Sequence, residues 1–283
     1  MGKRILLVLL IAGSFSGFSQ RLATAEDAED RDRTQRYVNL FLKPDQPASA
    51  STEKISLFIR KLEEKRSSFK KDDDFLKYIF VKTHQRFLRR YTEYCTFGEL
   101  LEAGVYNCLT GTALYSLILD HLNIKYKITE TNYHIFLVIE TAHGDVLFEA
   151  TDPIDGFVDE PAAVAKRIEH YRNIRPDVGS KTCYRYSANI YNNVSLEQLV
   201  GLMYYNLSVK AYNNKSLSTS INYLDQSVRF YKTSRTDEFT RIIFLTLSAG
   251  AMVNEAERDI CLQQLKSLGK SGLLFASSSG ELN

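Results

Sequence analysis

The 283-residue sequence contains no tryptophan, no Cys-x-x-Cys pair and no excess of charge of one sign. Its 36 basic and 34 acidic side chains leave a net charge of +2, so no extended field points to nucleic acid or a general membrane surface. Without a Cys-x-x-Cys pair, a structural zinc site has no support, and no cofactor motif is found. The cysteines, Cys95, Cys108, Cys183 and Cys261, are irregularly spaced. A chain of this length does not need disulfide staples, and nothing in the spacing asks for a Cys95–Cys183 bridge. Aromatic bulk comes instead from 17 Tyr and 16 Phe.

Long apolar runs are missing as well, except at the start. "MGKRILLVLLIAGSFSGFSQ" has a basic n-region (Lys3, Arg4), an apolar stretch from Ile5 to Ile11, and small residues Gly17 and Ser19 at the −3 and −1 sites. This is the pattern of a secretory signal over residues 1–19, cleaved between Ser19 and Gln20. The apolar stretch is short for a span of ~20 residues, and no cysteine follows it to carry a lipid. The expectation is an exported protein, periplasmic or extracellular, with no transmembrane segment in the mature chain. Export would permit disulfides.

Residues 20–52 read as a polar leader and linker in which only "RYVNLFL" is apolar enough to dock. A first domain is expected over 53–190. "EKISLFIRKLEEKR" puts Ile55, Phe58, Ile59 and Leu62 on one helical face, and "DDDFLKYIFVKTHQRFLRRYTEY" does the same with Phe75, Ile79, Phe80 and Phe87. Three aspartates at the start of the second suit a helix dipole. On this pattern His84 and His121 read as helix-surface residues and His143 as an exposed turn residue. "TFGELLEAG" is a short helix stopped by Gly104, and a further helix is expected from Leu109 to His121. "IKYKITET" alternates as a half-exposed strand, "YHIFLVIE" is apolar on both faces as in a central strand, and "VLFEATDP" returns after the turn signal "TAHGD". The stretch from Arg167 to Asn193 reads as a connector that contributes an edge strand.

From 191 to 283 the texture is helical throughout. Tyr204, Leu207 and Leu224 occupy the large positions of a tetratricopeptide-like helical pair, and Ser208, Ser220 and Ser227 its small ones. Later segments match that template poorly. The fold class expected is therefore α+β, helices packed on a small antiparallel sheet, followed by an all-α helical-hairpin region.

Three residues in the first domain combine into a candidate site. Cys108 stands at the start of a helix, where the dipole favours a thiolate. A thiol nucleophile also needs an imidazole within reach and a group that orients the imidazole. A three-residue hairpin loop centred on His143 would put His134 directly opposite Asp152, with Cβ atoms about 4.5–5.5 Å apart. A loop of different length would shift this register by one residue. Glu149 is a reserve carboxylate that the expected parity puts on the opposite face. The oxyanion donors would be the Cys108 N–H with help from Asn107 or Tyr106. Each residue also has a plain structural reading: a buried cysteine, a satisfied histidine, a turn-forming Asp before Pro153. A metal held by Cys108, His134 and Asp152 would lack a clear fourth ligand.

"YNCLTGTALYSLIL", "YHIFLVIE" and "LFEATDP" together resemble the transglutaminase-like branch of the papain-like superfamily, over about residues 73–160. That resemblance implies a cysteine at a helix start followed by His and Asp on successive strands, matched by Cys108, His134 and Asp152, and it implies acyl transfer or hydrolysis at amide bonds of a peptide or protein. A tetratricopeptide-like region after such a core resembles a bacterial group that joins the two modules. The catalytic positions are often lost in that group, so a non-catalytic scaffold that binds a peptide or protein partner is the alternative, with Tyr115 or Phe136 filling the cleft. The residues after His134 are Ile135 and Phe136, not the aromatic pair common in transglutaminases proper, which weighs against protein cross-linking.

Overall fold

The computed structural model describes residues 32–44, 51–173, 190–250 and 255–270. The expected signal segment, most of the polar leader and Cys183 lie outside these residues. The chain is mixed helix and sheet. Helix α1 (residues 32–42) is the docked apolar segment of the leader, with Val38, Phe41 and Leu42 buried. Then come α2 (Ser51–Arg66), α3 (Asp72–Phe87), the two-residue strand β1 (Arg90–Tyr91), α4 (Phe97–Ala103), β2 (Val105–Tyr106) and α5 (Cys108–His121). Strands β3 (Tyr126–Thr131), β4 (Ile135–Thr141), β5 (Gly144–Phe148) and β6 (Phe157–Val158) lead to α6 (Pro161–Asn173) and β7 (Tyr191–Val194). The helices α7 (Leu196–Asn213), α8 (Leu217–Phe230), α9 (Ser234–Ser248) and α10 (Glu255–Lys270) complete the order. No helix among the described residues is long and apolar enough to cross a membrane.

The centre of the fold is α5. It is apolar on nearly every face, which is the signature of a helix enclosed on all sides, and Ala113, Leu114, Tyr115, Leu117, Ile118 and Leu119 are all fully buried. Each large apolar side chain enclosed this way contributes about 1.5–3 kcal/mol. The Tyr115 hydroxyl, carried into this core, is satisfied: it donates to the Phe80 carbonyl at 2.9 Å. Against α5 lies a five-stranded antiparallel sheet in the order β6-β5-β4-β3-β7. β4 is buried on both faces, as its unbroken apolar run requires: Ile135, Leu137 and Ile139 face the main core, while Phe136 and Val138 meet Val164 and Tyr171 of α6.

Two elements depart from the sequence reading. The supposed connector opens inside α6, whose Pro161 sits at the first helical position where its missing N–H costs nothing; the expected edge strand is β7, paired with β3. The alternating strand β3 is buried from Ile128 to Thr131 instead of half-exposed, because the helical region covers its second face.

α7 joins the two halves. Leu199, Val200, Leu202, Met203 and Tyr204 belong to the main core, whereas Tyr205 opens a second core with Leu217, Ile221, Leu224, Phe239, Ile243 and Leu265. The small positions of α7 and α8 are sites of close approach: Ser208 Oγ donates to Ser220 O at 2.7 Å, Ser220 Oγ returns a bond to Ser208 O at 2.9 Å, and Ser227 Oγ reaches Gly201 O at 2.8 Å.

Candidate active site

Cys108 is the first residue of α5 and is half-buried. Asn107 before it caps the helix: its Oδ1 accepts from Thr110 N at 2.9 Å, and Thr110 Oγ1 accepts from Asn107 N at 3.0 Å. The reciprocal pair is a capping box. It leaves the Cys108 amide in the first turn, where no carbonyl one turn back exists to receive it. The Asn107 amide is spent elsewhere, donating to the Glu93 carbonyl at 3.0 Å, and Tyr106 is buried with its ring against His84 and Tyr91. Of the expected oxyanion donors, the Cys108 backbone N–H is thus the one left free by the local structure.

His134 ends the short connection between β3 and β4. Its N–H donates to Thr131 Oγ1 at 3.1 Å and its carbonyl accepts from Thr131 N at 2.8 Å. Its ring packs against that of Tyr171, with centroids 4.5 Å apart and planes tilted by 46°. Nε2 is bonded to Glu149 Oε2, and the Cys108 thiol stands close enough to the same imidazole to raise its pKa. With Nε2 taken by Glu149, Nδ1 is the ring nitrogen left for the thiol.

Glu149 is 2% exposed, and its other oxygen accepts from Thr151 N at 2.8 Å and Thr151 Oγ1 at 2.5 Å. The Tyr171 hydroxyl reaches it too. These partners decide the electrostatics. Burial alone would lower the His134 pKa, but Cys108 and Glu149 outweigh it and raise it to about 10. Burial alone would raise the Glu149 carboxyl, but His134 and Thr151 hold it below its usual value. A buried carboxylate is tolerated here because both of its oxygens are hydrogen-bonded.

Asp152 does not meet His134. The β4–β5 hairpin turns through Ala142 and His143 alone, so Leu137 faces Phe148 and Thr141 faces Gly144. That is one residue out of the expected register, and a one-residue slip exchanges the faces. Glu149 moves to the imidazole and Asp152 away from it. Asp152 instead closes the turn after β5, with Oδ1 accepting from Asp155 N at 2.9 Å, and it pairs with Arg167 at 3.2 Å. Against partial burial, which alone would raise it, these contacts, the Asp155 amide first and then Arg167, hold its carboxyl below the usual range.

Two glycines allow the close approaches. A Cβ on Gly111 would lie 2.7 Å from Ala150 Cβ, so this glycine lets α5 sit against the Glu149 turn. A Cβ on Gly156 would lie 2.2 Å from Asp152 O and 2.4 Å from Glu149 O. Neither carbonyl can yield without opening the turn. Gly156→Ala is expected to destabilise by about 3 kcal/mol, read as a lowered urea midpoint, and to loosen Glu149 from His134.

Several neighbours were not foreseen. Tyr91 is 57% exposed, and the parallel pairing of β1 with β2 sets it beside Tyr106; burial first, then the nearness of Cys108, raises its phenol pKa. Tyr171 and Arg167 come from α6, which carried no site signal. His84, expected on the surface, is buried against Phe80, Tyr106 and Tyr115, and burial lowers its pKa to about 4. His121 is largely enclosed between Thr34 and Glu63. His143 is exposed in the hairpin turn. Tyr115 lies in the main core and Phe136 on the α6 side of the sheet. A groove of about 740 Å³, lined by Arg33, Asp120, Tyr126 and Ser195, is at the opposite end of β3 from His134. Among the described residues, no cluster of His, Cys, Asp and Glu could hold a metal ion.

No family model matches the chain, and neither a curated protein nor a solved structure matches it.

Proposed function

We propose that this protein is a thiol hydrolase or acyltransferase of the transglutaminase-like kind, acting on amide bonds through Cys108, His134 and Glu149. The observation that carries the reading is that the His134 ring is bonded to the buried Glu149 carboxylate and lies near enough to the Cys108 thiol to be shifted by it. Three groups in that sequence are what a nucleophile, a general base and an orienting acid require.

In this reading the Cys108 sulfur attacks the carbonyl carbon of a bound amide. The thiol proton resides on His134 Nδ1, and the carbonyl oxygen takes up negative charge facing the Cys108 N–H. The C–N bond then breaks as His134 delivers the proton to the leaving nitrogen. Water or an amine, deprotonated by the same imidazole, attacks the thioester and releases Cys108. Glu149 holds the ring by Nε2 and stabilises its charged form. Tyr91, exposed and within electrostatic reach of the sulfur, forms part of the approach. The substrate class is a peptide or protein amide, met outside the cytoplasm if the N-terminal signal pattern is used. The helical hairpins, tetratricopeptide-like in their pattern of small and large positions, would present that peptide or a protein partner.

The test uses iodoacetamide and mass spectrometry on the full chain near neutral pH. Cys108 is expected to be alkylated at least about 10-fold faster than Cys95, Cys183 or Cys261, and His134→Ala to remove that advantage. Burial raises the Cys95 pKa to about 11 and also raises that of Cys261, so both are slow internal references. Equal labelling of Cys108 and these references, unchanged by His134→Ala, sinks the reading.

A further inference from the structure

The connection that carries His134 is gripped from outside its own sheet. Thr131 and His134 bond each other, as described, but those bonds lie within the connection and do not tie it to the helical region. Arg235, in the first turn of α9, reaches in from the helical region. Its Nη2 donates to the Thr131 carbonyl at 3.0 Å and the Asn132 carbonyl at 3.2 Å. Its Nη1 pairs with Glu130 at 3.0 Å, and the two side chains are 13% and 3% exposed. The Tyr231 hydroxyl of the α8–α9 junction donates to the other Glu130 oxygen at 3.0 Å, and the Arg235 guanidinium lies 5.6 Å from the Tyr205 ring centroid. Asn132 is held from the β7 side as well, its Oδ1 accepting from Ile190 N at 2.5 Å.

Adhesion between the two halves does not explain this cluster. α7 already buries Leu199, Val200, Leu202 and Met203 in the main core, and a buried ion pair is weak evidence for added stability because both charges must be desolvated. What the cluster does provide is direction. The planar fork of an arginine fixes several acceptors at set angles, and here the acceptors are three successive residues, 130 to 132, with only Tyr133 between them and the residue whose ring must meet a sulfur.

We propose that Arg235 is a positioning residue for His134: by clamping the Thr131 and Asn132 carbonyls from α9, it sets the imidazole against Cys108, so that the helical region completes the site. The proposal rests on the reading of Cys108 and His134 as a reacting pair. A displacement of about 1 Å at a reacting group is enough to cost about 100-fold, so a pivot of this connection has a measurable consequence.

The experiment is iodoacetamide labelling of Cys108 in the full chain between pH 6 and 9, with thermal melting alongside. Arg235→Met is expected to label about 10-fold slower or worse than wild type at neutral pH and to flatten the pH profile. Arg235→Lys, which keeps a donor and the charge opposite Glu130, should recover part of the rate. The double variant Glu130→Gln/Arg235→Met leaves no unpaired buried charge and serves where the single variant fails to fold; it should label as slowly. Ser208→Ala, which loses bonds between α7 and α8 far from the clamp, should melt lower and label like wild type. Wild-type rates and profile in the Arg235 variants overturn the proposal. So does a loss in Ser208→Ala as large as theirs, which would make the effect one of general stability. Slow labelling of Cys108 in the wild type itself overturns the Cys108–His134 reading instead, so the two failures are told apart.

Discussion

Glu149→Gln slows the alkylation of Cys108, and any acyl transfer it performs, by about 10²-fold or more, whereas Asp152→Asn leaves both within about threefold. Both variants exchange a carboxylate for an amide of the same shape, so the contrast reports function and not packing. At Glu149 the amide would present its oxygen or its nitrogen to His134 Nε2, with no charge to balance an imidazolium, while still having to satisfy Thr151. The imidazole loses the partner that fixes which nitrogen faces the sulfur. At Asp152 the amide oxygen can still accept from Asp155 N, and the lost ion pair with Arg167 is about 30% exposed on both sides, a setting in which such pairs are worth about 0–1 kcal/mol. Labelling rates of the two variants, measured beside wild type, check the assignment of the orienting carboxylate.

The second large effect is a pH-dependent difference in stability between wild type and His134→Gln. The folded pKa of His134 lies above its unfolded value near 6.5 and reaches about 10. Its contribution is therefore complete below pH 6.5 and is lost as pH rises from there toward 10. Glu149 runs the other way: its folded value lies below 4.5, so its share is present above pH 4.5 and is lost on further acidification. Between roughly pH 4.5 and 6.5 the pair contributes most, and wild type should exceed His134→Gln by on the order of a few kcal/mol. The gap should narrow steadily toward pH 10. His84 has the opposite sign, with a folded value near 4, so it costs stability as pH falls below 6.5; it is common to both proteins and cancels in the difference. Urea denaturation of the two proteins at half-unit steps from pH 4 to 10 measures the gap.

The periodic parts of this fold are legible in the sequence for a simple reason: periodicity reports which face is buried. The helices around Ile55, Phe75 and Leu114, the central strand at Ile135–Thr141 and the hairpin that follows all carry it. His84 was misplaced although the same rule applies, since it stands one turn after Phe80 on the buried face of α3. The orienting carboxylate was not legible because it depends on register, and register depends on one residue of turn length. "TAHGD" allows a loop of two residues or three, and each choice delivers a different acid to His134. Glu149 and Asp152 differ by three positions, an odd number, so a single slip is enough to exchange them. Tyr171 was hidden by a missed helix, although Pro161 marks its start. Arg235 had no sequence signal at all: it meets the His134 connection across 103 residues of chain, and nothing periodic links the two.

The His134 imidazole, bonded to Glu149 and shifted by the nearby Cys108 thiol, is the group on which the proposed chemistry turns. Its ionisation can be followed by NMR from the ring Cε1 proton, assigned by loss of the signal in His134→Gln. The predicted result is a ring that stays protonated through neutral pH, titrates near 10, and falls back toward 6.5 in both Cys108→Ala and Glu149→Gln. A ring that titrates near 6.5 in the wild type, unmoved by either substitution, would contradict it.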